Sequence, residues 1–245
     1  MARAADEGHR VVLVVATHGE EGEFAEGFLD ADESLQDRRV VETNAAASVL
    51  GVSRVAFLGY RDSGMMGTQA NEHPESFWQA NVDAAAEPLA FILREEAADV
   101  LTVYDANGGY GHPDHIQVHR VGHRAAELAG TERVFEATMN RDRIAEMTAR
   151  AREAGMDTPG GDQPEQAREI GVPDAQITTV VDIRDLIDRK RRAMVAHASQ
   201  IAEDSWFLTL PPEVFVEAFG WEWFVRTRPQ FEGVVPDDRD SWLLG

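Results

Sequence analysis

Three short apolar runs, at residues 11–16, 55–58 and 100–104, each stop at a cluster of glycine and polar or charged side chains. Unbroken apolar runs of this length suit strands buried on both faces, the signature of parallel sheets covered by helices. The segments between them read as helical. Over 35–50, Leu35, Val40, Val41, Ala45, Val49 and Leu50 supply an apolar face, and Gly51 stops it. Residues 77–98 suit a helix kinked at Pro88, and 113–129 suit another. Further strands are expected at 134–138 and 177–183, and further helices at 141–154 and 184–201. Residues 1–9 read as the tail of a helix, with Gly8 as its C-cap. This alternation predicts an α/β fold, a Rossmann-like mostly parallel sheet with helices on both faces. Ligands of such sheets sit beyond the carboxyl ends of the strands. The polar clusters after Ala16, Leu58 and Tyr104 fall there, which points to one composite site.

The length, 245 residues, suits a single domain spanning 1–245. The stretch 155–175, with Pro159, Gly160, Gly161, Pro164 and Pro173, reads as a mobile excursion rather than a linker. The aromatic tail (Trp206, Phe207, Phe215, Phe219, Trp221, Trp223, Phe224) should pack back onto the body. A formal net charge of −21 argues against nucleic acid and anionic lipid as partners, since both would be repelled. Cysteine is absent, so any metal must be held by histidine and carboxylate. No segment reads as a leader or a membrane span, which leads to the expectation of a cytoplasmic protein. The oligomeric state is not readable.

The densest chemical signal is Asn107-Gly-Gly-Tyr-Gly-His-Pro-Asp-His115. Its glycines permit sharp turns and close approach to a ligand. His112 and His115 flank Pro113 at the first turn of a helix, where proline fits. Asp114 is placed to orient an imidazole. A helix-capping box with surface histidines is the bland reading of the same residues. His119 and His123 continue at four-residue steps on one helical face and could bind zinc. No glutamate accompanies them as in a His-Glu-x-x-His motif, so they read first as solvated or half-buried helix residues. A second cluster, residues 17–23, sets glycines beside Glu20, Glu21 and Glu23; it suits a cation or sugar hydroxyls, or is simply a solvated acidic loop. A third, residues 61–65, places Asp62 where it could bond a polyol.

Together these clusters resemble the LmbE/PIG-L family of zinc-dependent N-deacetylases, which includes mycothiol deacetylases and mycothiol-conjugate amidases. Tyr104 to His115 matches its Tyr-Asp-x-Asn-Gly-Gly-Tyr-x-His-Pro-Asp-His pattern. Gly19 to Glu23 matches its Gly-Glu-x-Gly-Glu; Arg39, Glu42 and 50–52 match its Arg-x-x-Glu helix; Asp62 to Met65 matches its Asp-Ser-Gly-Met. Residues 196–200 resemble a pattern near its C-terminus. The resemblance implies a Zn2+ enzyme that removes acetyl from an N-acetylglucosamine-type conjugate, a small-molecule partner. It implies His115 as a zinc ligand, Tyr110 and His112 as groups that stabilise charge or move a proton, and Asp114 as an orienting group. It implies Glu23, Arg39 and Asp62 as sugar or polyol contacts.

One departure stands out. The family's His-Pro-Asp-Asp-Glu motif after its first strand, which supplies two zinc ligands and the general base, has no match. The chain is therefore expected to begin inside the fold, its first central strand missing, through a late start in the reading frame or true truncation. A degenerate version at Thr17-His18-Gly19-Glu20-Glu21, with His18 and Glu21 as ligands, fits the spacing less well. On this reading zinc is expected but incompletely held, and activity is expected to be low. The alternative is a non-catalytic sugar-binding member of the same fold. Nucleotide binding is disfavoured, since no Gly-x-Gly-x-x-Gly follows a strand.

Overall fold

The computed structural model describes residues 1–25, 27–153, 155, 170–229 and 242–244. In chain order its main elements are helix α1 (Ala2–Asp6), strand β1 (Val12–Thr17), α2 (Leu35–Leu50), β2 (Arg54–Tyr60), α3 (Val82–Glu95) and β3 (Val100–Tyr104). There follow α4 (Pro113–Ala129), β4 (Arg133–Thr138), α5 (Arg141–Glu153), β5 (Thr179–Asp182), α6 (Ile187–Val195), α7 (Pro212–Phe219) and β6 (Trp221–Arg228). The class is α/β, with strands and helices alternating through the first half of the chain. The strands form two ladders, β1–β2 and β3–β4–β6–β5. The pairs β1/β2 and β3/β4 are parallel, whereas β6 runs antiparallel to β4. Among the described residues β1 is bonded to β2 alone, and β3 to β4 alone. Most of the stretch expected to be an excursion, 156–169, lies outside the described residues, as does the side chain of Phe207. No helix of the described residues is long and apolar enough to cross a membrane.

The described chain divides into two compact units, Met1–Ala80 with Asp182–Trp221, and Asn81–Val181 with Glu222–Gly245. In the first, Ser34 opens α2 by accepting the Asp37 N–H at 3.1 Å. Gly51 closes it in the left-handed conformation (φ 75°), and the Val52 N–H reaches back to the Ala47 carbonyl at 3.0 Å. Helix α6 packs on α2, with Arg189 donating to the Val49 carbonyl at 2.6 Å. In the second unit, α3 and α4 pack together and α4 crosses β3. The crossing is close at Gly122, where a Cβ would collide with the Val103 side chain.

Several elements are shorter than the apolar pattern suggests. The helix expected over 77–98 begins only at Val82, because Asn81 caps it by accepting the Ala84 N–H at 3.0 Å. It runs through Pro88 and ends at Glu95, before Ala97 at positive φ. The helix expected over 184–201 ends at Val195. Just beyond, the Ser199 N–H and hydroxyl turn to the buried Glu42 carboxylate at 2.8 and 2.6 Å. The strand expected over 177–183 is ladder-bonded only at Thr179–Asp182. Of the aromatic tail, Phe215 and Phe224 are buried while Trp206 is exposed.

Candidate active site loops

The motif that follows β3 is organised by Asp105. Its carboxylate is buried and accepts the N–H groups of Asn107 (3.1 Å) and Gly109 (2.8 Å) and the Thr138 hydroxyl (2.6 Å). These bonds hold Gly108 and Gly109 at φ 63° and 77°, left-handed angles that favour glycine. A Cβ on Gly108 would press within 2.7 Å of the Ile116 nitrogen, so the turn lies directly on the first turn of α4. His112 caps α4, its Nδ1 accepting the Asp114 N–H at 3.2 Å, and Pro113 occupies the first helical position. The Asp114 side chain is buried.

His115 lies at the centre of an aromatic group. The Tyr104 ring stacks on it at 4.0 Å and 5°, Tyr110 meets it edge-on at 5.2 Å, and His112 lies 4.9 Å away. His115 Nδ1 is 3.1 Å from the Gly108 carbonyl. A carbonyl only accepts, so Nδ1 carries the proton, and in the neutral ring the lone pair sits on Nε2. That is the tautomer a metal or a proton donor can use. Tyr110 is 52% exposed, which leaves its phenol accessible to a ligand.

The loops after β1 and β2 are built on charge. Arg39 is buried, and its guanidinium donates to the Gly19 carbonyl and, at 3.4 Å, to that of Glu23. A Cβ at Gly19 or Gly22 would strike that guanidinium, which accounts for both glycines. Burial holds the Arg39 pKa below its usual value, and Asp62, Glu42 and Glu20 partly offset the effect. Asp62 is buried; its carboxylate accepts the Gly64 N–H at 2.8 Å and the Glu21 N–H at 3.3 Å. Its own N–H goes to Glu20 at 3.1 Å. Glu23 is exposed. His197, expected only as part of a C-terminal pattern, belongs to this cluster: burial lowers its pKa, Glu42 opposes the shift and Arg39 adds to it.

His18 stacks on Phe57 at 5.0 Å and Glu21 pairs with Arg61 at 2.5 Å. Among the described residues neither belongs to a group of three donors near enough to share an ion, and neither does His115. The one three-donor group among the described residues is His119, His123 and Glu136. Glu136 and the organising Asp105 are the residues that sequence reasoning passed over. Asp105 stood in the quoted motif, whereas nothing local singled out Glu136.

Comparison with known proteins gives this arrangement a context. The PIG-L family, described as GlcNAc-PI de-N-acetylase, matches residues 1–126. A 1D-myo-inositol 2-acetamido-2-deoxy-alpha-D-glucopyranoside deacetylase from Acidothermus cellulolyticus is 44% identical over 241 residues, covering 93% of this chain and 82% of the relative. Among solved structures, the N,N'-diacetylchitobiose deacetylase of Pyrococcus horikoshii aligns with a TM-score of 0.54 at 20% identity, over 97% of this chain and 80% of its own. The 4-carboxy-2-hydroxymuconate hydratase of Pseudomonas putida aligns with a TM-score of 0.58 at 20% identity, over 96% and 91%. The last two show a shared fold. Since they carry different chemistries, the fold alone does not choose one.

Proposed function

The chain belongs to the PIG-L family of GlcNAc-PI de-N-acetylases, and from that premise we propose that it acts on the N-acetyl group of an N-acetylglucosamine conjugate of the inositol type. The observation that carries the reading is the loop after β3. Asp105 and the left-handed glycines gather the Tyr110, His112 and His115 rings at the start of α4. Amide hydrolysis adds the oxygen of water to the acetyl carbon, breaks the C–N bond and leaves acetate and a free amine. It needs a donor for the tetrahedral oxyanion and a proton for the departing nitrogen. In this reading Tyr110 supplies the first and His112 the second, with Asp114 fixing His112 through its backbone. Glu23 and Asp62 contact the sugar or polyol. Arg39 sets the loop after β1 that carries Glu23, an assignment supported by its bonds to the Gly19 and Glu23 carbonyls.

A second reading is favoured by one observation: His115 lies in no three-donor group among the described residues. In that reading the chain binds the amino-sugar conjugate without cleaving it. One experiment separates the two. The purified chain is incubated with 1D-myo-inositol 2-acetamido-2-deoxy-α-D-glucopyranoside, with and without added Zn2+. Free amine is assayed by fluorescence, and binding by calorimetry. Amine release supports the deacetylase. Binding without release at any zinc level selects the second reading, and absence of both overturns the substrate class.

A further inference from the structure

We propose that His119, His123 and Glu136 form a second divalent-cation site, of zinc type, that clamps α4 to β4. The donor atoms of the three lie within 4.8 Å of one another. Glu136 Oε1 is 2.9 Å from His123 Nε2 and 3.4 Å from His119 Nδ1. Bonds of 2.0–2.2 Å from a tetrahedral ion place its ligand atoms about 3.3 Å apart, so the two distances bracket what zinc requires. Two imidazoles and one carboxylate are a common zinc donor set, and three protein ligands leave a fourth position for water. The side chains are 21% (His119), 30% (His123) and 14% (Glu136) exposed, sheltered yet within reach of that water.

The fold explains why these three meet. His119 and His123 are one turn apart on α4, their rings 4.6 Å from each other. Strands β3 and β4 are parallel, with Val103 opposite Glu136. Register partners on neighbouring strands point to the same side of a sheet. Val103 meets α4 at Gly122, so Glu136 is directed at α4 as well, at the histidines that flank that glycine. Without an ion, a proton on His123 Nε2 satisfies the Glu136 carboxylate, and His119 Nδ1 donates to the Tyr104 carbonyl at 3.2 Å. A cation displaces both protons. It neutralises the carboxylate and costs the Tyr104 carbonyl its donor. The site does not depend on the deacetylase reading.

The test uses the full chain and ZnCl2 alone, with bound zinc measured by elemental analysis after dialysis, and Co2+ substitution read by its tetrahedral absorption. His115→Ala should retain one equivalent of zinc and the Co2+ spectrum. Glu136→Gln and His123→Asn should weaken zinc binding by more than the roughly 10–100-fold that loss of an outer-shell partner costs. Zinc should raise the Tm of the His115→Ala protein and leave that of the Glu136→Gln protein unmoved. Circular dichroism verifies that each variant is folded, and two independent ligand substitutions guard against one misfolding. Unchanged affinity in both folded ligand variants overturns the site. So does loss of all zinc in His115→Ala, or absence of zinc uptake by the unaltered chain.

Discussion

The loops after β1 and β2 and the loop after β3 are both glycine-rich and polar, yet they use their charged groups in opposite ways. In the first pair, the charges engage one another and the backbone. Arg39 holds the Gly19 and Glu23 carbonyls, Glu21 pairs with Arg61, Glu20 and Asp62 exchange bonds with each other's loops, and Glu42 takes Ser199. In the second, one buried carboxylate, Asp105, fixes the turn, His115 rests on the Gly108 carbonyl and the Tyr104 ring, and His112 caps α4 by accepting the Asp114 N–H. The first is a frame whose acids are mostly structural. The second gathers the rings of Tyr110, His112 and His115 at the start of α4.

The sharpest way to break the contrast is to remove the hub of the frame. Arg39→Met leaves the buried Asp62 and Glu42 without their cation and the Gly19 carbonyl without its donor. It should cost about 3 kcal/mol or more of stability in urea unfolding, the magnitude of an uncompensated buried charge. A loss of under 1 kcal/mol would show that the loop does not rely on it. Next comes the other loop, probed by function. Tyr110→Phe should leave stability unchanged because the side chain is half exposed. Amine release should fall about 10²–10³-fold, as when one oxyanion donor is removed. Full activity in this variant would remove Tyr110 from the mechanism.

A smaller effect is expected from Asp105→Asn. The amide oxygen still accepts from Asn107 and Gly109, and Thr138 can reverse its bond and accept from the amide nitrogen. Only the charge assistance disappears, worth about 1–2 kcal/mol in an unfolding curve. A loss as large as that of Arg39→Met would erase the distinction between the two loops. The smallest effect is pH-dependent. The folded-state pKa of His197 lies below its ordinary 6.5, chiefly through burial. The unfolded chain then binds the proton more readily, so this contribution is complete above pH 6.5 and is lost as pH falls from there through the folded value. A His197 NMR titration midpoint at or above 6.5 would contradict it, and His197→Gln should flatten this part of the stability profile.

Helix α2 and helix α4 were legible because their end signals are local, Gly51 after one and Pro113 at the start of the other. The apolar face expected on α2 is not the one the fold buries, since Val41 and Ala45 are exposed while Leu35, Arg39, Glu42, Ala46 and Ala47 are buried. The residues around Tyr110, His112 and His115 were legible for a similar reason. Their turn is encoded in consecutive glycines, and seven residues separate His115 from the Gly108 carbonyl it binds. The helix expected over 184–201 was overdrawn because its end is set by Glu42, 157 residues before Ser199. The resemblance implies Arg39 as a sugar contact; that it holds the Gly19 and Glu23 carbonyls is a pairing that spacing along α2 does not reveal.

What the sequence determined by itself is the α/β class, the order of its strands and helices, and the histidines, tyrosine and carboxylates placed at strand ends. These follow from periodicity and turn chemistry over a few residues, where chain connectivity leaves little freedom. The tertiary structure alone decided that the strands form two ladders, and that the His119–His123 pair has a carboxylate partner in Glu136. That partner depends on the register of β4 against β3 and on the close crossing of α4 at Gly122. A shift of one residue in that register would turn Glu136 to the other side of the sheet, and no local sequence pattern records which register is taken.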